Sequence, residues 1–83
     1  MEEELKWLVD GLIRNERVED GPELEKPECQ QILNAVVKKL GCACELIVNI
    51  NIERNGIFYD YLIDHENIKE SRVLIEEWDN RYL

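Results

Sequence analysis

Residues that commonly carry catalysis or bind metals are scarce in this sequence. It has one histidine and three cysteines. It also lacks a glycine-rich dinucleotide loop, a Walker-type phosphate loop, a His-Glu-x-x-His string, an EF-hand and a Gly-x-Ser-x-Gly elbow. A chain of 83 residues forms one core, which leaves little room for an enclosed substrate pocket. We therefore expect a single domain over residues 1–83 that is not an enzyme and needs no cofactor.

Long apolar runs are also missing, so the sequence offers no segment that could span a membrane. The first residues, Met1 to Glu4, carry three glutamates, whereas a secretory signal peptide begins with basic residues. The pattern predicts a cytoplasmic protein that does not contact the membrane.

The cysteine number is odd, and without a secretory signal this favours reduced thiols over a disulfide framework. Cys29, Cys42, Cys44 and His65 are the residue types of a Cys₃His zinc site. The Cys42-Ala43-Cys44 spacing, however, lacks the turn of a zinc knuckle, and Cys29 occupies an apolar position of a predicted helix. A zinc-dependent fold stays an alternative; the prediction is no metal site and no catalytic residue.

Two helices are indicated in the first half of the chain. Apolar residues recur from Leu5 to Ile13 at i, i+3, i+4, i+7 and i+8, with glutamates at the start and Arg14 and Arg17 at the predicted end. Residues 15–27 read as an acidic loop. A second helix is predicted from Pro27 at its first position to Leu40, with Gly41 following its end. Its apolar stripe consists of Cys29, Ile32, Leu33, Val36, Val37 and Leu40.

After Gly41 the apolar period changes to two, and Asn55-Gly56 supplies a hairpin turn signal. A two-residue turn there pairs Ile52 with Tyr59, Ile50 with Tyr61, and Val48 with Ile63. The opposite, half-polar face then carries Ile47, Asn49, Asn51, Phe58, Asp60 and Leu62.

The last third of the chain predicts a third helix. The predicted helix is capped by Asn67 or Ser71 and ends near Leu83. Its apolar residues are Ile68, Leu74, Ile75, Trp78 and Tyr82. Arg72 to Ile75 could form a third strand instead, because a short apolar cluster suits both structures. The expected fold is α+β, in the order helix, helix, β-hairpin, helix, with the helices packed on one face of an antiparallel sheet.

Charge gives the one indication of function. The formal charge is −9, and residues 1–30 hold ten acids and four bases, a net of −6. Such a surface repels nucleic acid, so we expect no direct nucleic-acid binding. Acidic surfaces are usually a solvated coating; the functional interpretation is that these carboxylates imitate phosphates and bind a basic, nucleic-acid-binding protein surface. In size and charge alone the chain is similar to toxin-immunity proteins and phage-encoded inhibitors of host defence.

Partner binding is predicted at eight residues of the first third, where Trp7 is the aromatic anchor. These are Trp7, Asp10, Glu16, Glu19, Asp20, Glu23, Glu25 and Glu28. The alternative function is a homo-oligomeric accessory protein, such as a homodimer, whose hairpins associate. Its predicted interface is Ile47, Asn49, Phe58 and Leu62.

Overall fold

A computed structural model describes residues 3–80 and has two helices on one face of a four-stranded sheet. The elements in chain order are α1 (Glu3–Ile13), β1 (Val18–Gly21), α2 (Lys26–Leu40), β2 (Glu45–Glu53), β3 (Gly56–Asp64) and β4 (Arg72–Asp79). The strand order is β1-β3-β2-β4, in which β4 runs parallel to β2 and the other neighbours are antiparallel. The α+β class is confirmed. The predicted element order is wrong in two places, because it lacks β1 and has a helix in place of β4, and the sheet is mixed where an antiparallel one was predicted.

Both predicted helices are present, and their ends are set by local chemistry. In α1 the apolar stripe from Leu5 to Leu12 is buried, but the helix stops at Ile13, so Arg14 and Arg17 lie beyond it and not in its last turn. The predicted N-terminal Glu2 lies outside the described residues. In α2, Pro27 takes the second position. Gly41 ends the helix with a left-handed φ of 72° and donates its N–H to the Val37 carbonyl at 2.8 Å.

The hairpin is confirmed, but its register differs from the prediction by two residues. Val48 pairs with Tyr61 and Ile50 with Tyr59, because the turn consists of Arg54 and Asn55 and not of Asn55 and Gly56. Gly56 instead begins β3 at a φ of 142°, a conformation that other residues rarely adopt. A shift of two keeps every side chain on its predicted face.

The predicted third helix is wrong, and the strand alternative is correct. Residues 72–79 pair with β2 in unbroken parallel register, from Glu45 opposite Arg72 to Ile52 opposite Asp79. The register places Val73 and Ile75 beside the core residues Leu46 and Val48. Tyr82, also assigned to that helix, lies outside the described residues.

The predicted acidic loop also contains an unexpected strand, β1, at one edge of the sheet. As a result both hairpin strands are internal in the sheet that residues 3–80 form, with β1 beside the middle of β3 and β4 beside β2. Within residues 3–80 the outer strands of the sheet are β1 and β4, so edge-to-edge pairing of two copies would involve one of these strands.

The core lies between the two helices and the facing side of the sheet. Its buried apolar residues are Leu5, Leu8, Val9, Leu12, Val18, Cys29, Ile32, Leu33, Val36, Cys44, Leu46, Val48, Tyr61 and Ile63. The helices cover this side only. The other side, called here the open face, carries the alternate residues of β2, β3 and β4.

Candidate functional site

The edge formed by β1 and the segment leading to α2 carries most of the predicted partner-binding acids. Glu19, Asp20, Glu23 and Glu25 are exposed there, and we call these four residues the acidic edge. Among the described residues, the one cation within 4.0 Å of them is Arg17, whose Nε lies 3.9 Å from Glu19 Oε1. The charge of Asp20, Glu23 and Glu25 is therefore presented to solvent without an ion-pair partner in residues 3–80.

Asp60 anchors this edge to the rest of the sheet. The residue is 6% exposed, and its carboxylate accepts hydrogen bonds from Arg17 Nη2 at 2.9 Å, from the Asp20 backbone N–H at 3.2 Å and from Asn51 Nδ2 at 2.9 Å. These contacts join β1, β2 and β3 on the open face. The Arg17 guanidinium is thus held on a buried carboxylate, which limits its ability to neutralise the exposed acids.

Tyr61 anchors the same segment from the core side. Its ring is fully buried, and its hydroxyl donates a hydrogen bond to the Pro22 carbonyl directly after β1. Burial raises the pKa of the Tyr61 hydroxyl well above its usual value, and the nearby Cys29 thiol adds to that rise. The phenol therefore stays protonated and keeps donating at neutral pH.

A shallow depression of about 360 Å³ lies where the acidic edge meets the open face. Four carboxylates line it together with one amide and one aromatic ring. The lining residues are Glu19, Asp20, Asn51, Glu53, Phe58 and Asp60. Glu53 and Asp60 were not predicted as partner-binding residues. Their positions on alternate outward strand residues were visible in the sequence, but the neighbouring strand β1 was not.

The remaining predicted partner-binding residues divide between two other places. Trp7, 59% exposed, lines a second depression of about 160 Å³ with Glu16 and Glu19, but Arg14 and Arg17 also line it. Arg14 Nε lies 3.3 Å from Glu16 Oε1, so the charge of Glu16 is compensated. The Trp7 region is consequently mixed in charge.

Glu28 and Asp10 also stand apart from the acidic edge. Glu28 is half-buried, and its Oε1 accepts the Glu25 backbone N–H at 3.3 Å at the start of α2, so it serves the helix terminus. Asp10 is exposed on α1.

Glu23 approaches Tyr59 on the side of the sheet that faces the helices. Burial raises the pKa of the Tyr59 hydroxyl, and the carboxylates of Glu23 and Glu77 raise it further. Glu77 belongs to β4, opposite Ile50, and Tyr59 pairs with the same Ile50. The carboxylates of Glu23, in the acidic edge, and of Glu77, in β4, therefore both lie near the Tyr59 hydroxyl.

The four candidate zinc ligands differ in their exposure to solvent. Cys29 and Cys44 are buried at 1% and 0% exposure, whereas Cys42 and His65 are exposed. Burial raises the pKa of both buried thiols, which disfavours the thiolate that metal binding needs. Within residues 3–80 no three His, Cys, Asp or Glu side chains are arranged to hold a metal ion.

The predicted oligomer-interface residues all lie on the open face. Ile47 pairs with Leu62 on β3 and with Leu74 on β4, which makes one apolar row across three strands. Asn49 lies in the next row on this face, opposite Asp60, and Phe58 lies in the row after that, opposite Asn51. The row includes Leu74, which the sequence analysis had placed in a helix.

Neither helix in the described part of the chain has the length and apolar character that a bilayer crossing requires. Comparisons of the chain with protein-family models, with curated proteins and with solved structures found no match in any of the three.

Proposed function

We propose that the protein is a non-enzymatic binding module whose acidic edge docks on a basic, nucleic-acid-binding surface of a protein partner. In this function the carboxylates take the place of nucleic-acid phosphates, and the bound protein masks the partner's basic surface. The observation that carries the proposal is that Asp20, Glu23 and Glu25 are exposed and have no ion-pair partner within residues 3–80. Opposite charge steers association and suppresses wrong partners.

The anchoring of the acidic edge supports the same proposal. A loose acidic loop would lose conformational freedom when it docks, and that loss reduces affinity. Here Asp60 binds the Asp20 backbone, and Tyr61 binds the Pro22 carbonyl, so the segment is ordered before it meets a partner. Binding then costs less entropy than binding by a flexible segment of equal charge.

The test compares two variants with equal charge change. The first is the double variant Glu19→Lys/Glu23→Lys, which changes the acidic edge. The second, a control, is the double variant Glu66→Lys/Glu70→Lys, which changes two exposed acids between β3 and β4. Immobilised wild-type protein and both variants are incubated with cell extract at low salt and eluted with rising salt. We expect the edge variant to bind the captured protein at least about tenfold more weakly, whereas the control variant stays near wild type.

Competition with double-stranded DNA identifies the class of partner. If the acids imitate phosphates, DNA displaces the protein from its partner, and high salt elutes it. Equal capture by the edge variant and the wild type, or capture that resists both DNA and salt, would contradict the proposed function.

A further inference from the structure

The two edges of the sheet differ in how well they are protected. β1 has four residues, its register with β3 is interrupted between Val18 and Gly21, and Pro22 follows it. A short, irregular strand next to a proline resists pairing with another chain. β4 has eight residues in unbroken register with β2, and it contains no proline, glycine or lysine. Within residues 3–80, β4 is therefore the edge open to strand addition.

The backbone of β4 presents hydrogen-bonding groups along this edge. The Arg72 N–H donates to the Cys44 carbonyl at 3.1 Å, and the Asn80 N–H donates to the Ile52 carbonyl at 2.8 Å. Successive backbone groups of a strand point to opposite sides, so the even-numbered residues bond to β2. The N–H and C=O groups of Val73 and Ile75 consequently point away from the sheet.

Two aliphatic side chains are exposed at this edge, between Arg72 on one side and Glu76 and Glu77 on the other. Leu74 is 37% exposed and Ile75 is 45% exposed, on opposite faces of the strand. Leu74 ends the apolar row that begins at Leu62 and continues through Ile47. A partner that continues the sheet beyond β4 would cover both side chains and lengthen the row.

We propose that the partner at this edge is a second copy of the chain, joined by antiparallel pairing of the two β4 strands about a twofold axis at Leu74. Leu74 then faces Leu74 of the second copy, and Val73 pairs with Ile75 of the second copy through their outward backbone groups. Arg72 lies opposite Glu76 of the second copy on the open face. The apolar row becomes continuous across both copies in a single eight-stranded sheet.

Charge favours this register over pairings in which the twofold axis lies further along β4. An axis at Ile75 would place Glu76 opposite Leu74 and Glu77 opposite Val73, two charged residues against apolar ones. An axis at Glu76 would bring two like charges face to face, which destabilises a cross-strand pair. The Leu74 axis instead gives two opposite-charge pairs of Arg72 with Glu76. Arg72 donates from Nε to the buried Glu45 carboxylate, and because its side chain is otherwise exposed, its Nη groups remain available to Glu76 of the second copy.

The self-association uses β4, at the edge opposite β1, and so extends beyond the proposed masking function. The acidic edge remains free in the dimer, which would present two copies of it. Failure of either proposal leaves the other intact. The double variant Glu19→Lys/Glu23→Lys should leave dimerisation unchanged. Variants of Leu74 should leave the affinity of one acidic edge for the basic partner unchanged.

Disulfide trapping tests the register directly. In a Cys42→Ser background, Leu74→Cys places two thiols on the axis, within the separation that a disulfide spans. Glu76→Cys is the matched control on the same strand and face, since its two copies would be about 13 Å apart along the strands. With oxidised glutathione we expect a covalent dimer of the Leu74→Cys protein alone. Equal cross-linking of both variants, or none of the Leu74→Cys protein, would overturn the proposal.

Analytical ultracentrifugation of proteins without the introduced cysteines provides the second measurement. The wild type should sediment as a dimer, and Leu74→Lys should weaken dimerisation at least about tenfold because two ammonium groups meet on the axis. Trp78→Lys changes the most exposed apolar residue of β4, which lies beyond the paired segment, and it should leave the dimer near wild type. Circular dichroism checks that both variants fold. A monomeric wild type, or a larger effect of Trp78→Lys, would refute the arrangement.

The salt dependence of binding distinguishes docking on a basic partner from dimerisation. Docking of the acidic edge on a basic partner weakens as salt rises, whereas two chains of formal charge −9 repel each other and salt screens that repulsion. Dimerisation at the β4 edge should therefore persist at high salt. A dimer that dissociates as salt rises would count against apolar strand pairing.

Discussion

The ring of Tyr61 lies against the backbone of Gly21 so closely that a β-carbon built on Gly21 would come within 2.7 Å of the ring. The ring has no space to retreat, because it is fully buried and its hydroxyl is bound to the Pro22 carbonyl. Glycine is needed at this position for close approach, and this contact brings the acidic edge against the sheet.

We expect Gly21→Ala to reduce the free energy of unfolding by about 1–3 kcal/mol, the usual cost of overpacking. Urea denaturation measures the change. The cost should shrink when Tyr61 is also replaced by leucine, because the clash is with the ring. An equal cost in the presence and absence of the tyrosine would show that the contact is not the cause.

Replacing Asp60 should loosen β1 in preference to the hairpin. Asp60→Ala removes the acceptor shared by Arg17, Asn51 and the Asp20 backbone, and we expect a loss of about 1–3 kcal/mol of stability. Hydrogen exchange should accelerate most at the Asp20 amide. Asp64→Ala is the control on the same strand and face, since Asp64 accepts a local bond from the Glu66 N–H. Equal effects of the two substitutions would contradict the anchoring role.

Stability should fall at alkaline pH. Burial raises the pKa of Tyr61, Cys29 and Cys44 in the folded chain, so these groups ionise first in the unfolded chain. The unfolded state then binds fewer protons than the folded state, and the free energy of unfolding decreases as pH rises above about 9. Urea denaturation from neutral pH to about pH 11 measures the slope. Tyr61→Phe should make the decrease shallower; an unchanged slope would exclude the phenol as a source.

Thiol labelling should distinguish the three cysteines. Cys42 is exposed, whereas Cys29 and Cys44 are buried with raised pKa values that keep them as thiols. A thiol-reactive maleimide should therefore modify Cys42 rapidly in the native chain and the other two only after denaturation. Mass spectrometry of peptides identifies the site. Fast labelling of Cys29 in the folded chain would contradict the burial of this side chain between α2 and the sheet.

Local patterns were sufficient to predict the helices and the faces of the hairpin. The stripe from Leu5 to Leu12 and the Gly41 terminus each depend on neighbours a few residues away, so the sequence displays them directly. The hairpin register was wrong by two residues because Gly56 supplies its unusual φ just after the turn. Because the shift is an even number of residues, each side chain nevertheless lies on the predicted face of the sheet.

The two edge strands could not be predicted because distant residues determine them. β1 has few apolar residues, and it is ordered by Asp60 and Tyr61, about 40 positions later in the chain. The segment from Val73 to Trp78 fits helical and strand patterns alike, and its parallel pairing with β2 decides between them. The acidic composition was visible in the sequence; its placement on an anchored edge depended on these long-range contacts.

The insertion of β2 between β3 and β4 also imposes an order on assembly. The hairpin needs only neighbouring residues and can form early in folding, whereas β4 reaches β2 only after a longer loop has closed. Until then the partly folded chain exposes the unpaired edge of the isoleucine-rich strand β2. We expect this half-formed sheet to be the species that chaperones bind during folding.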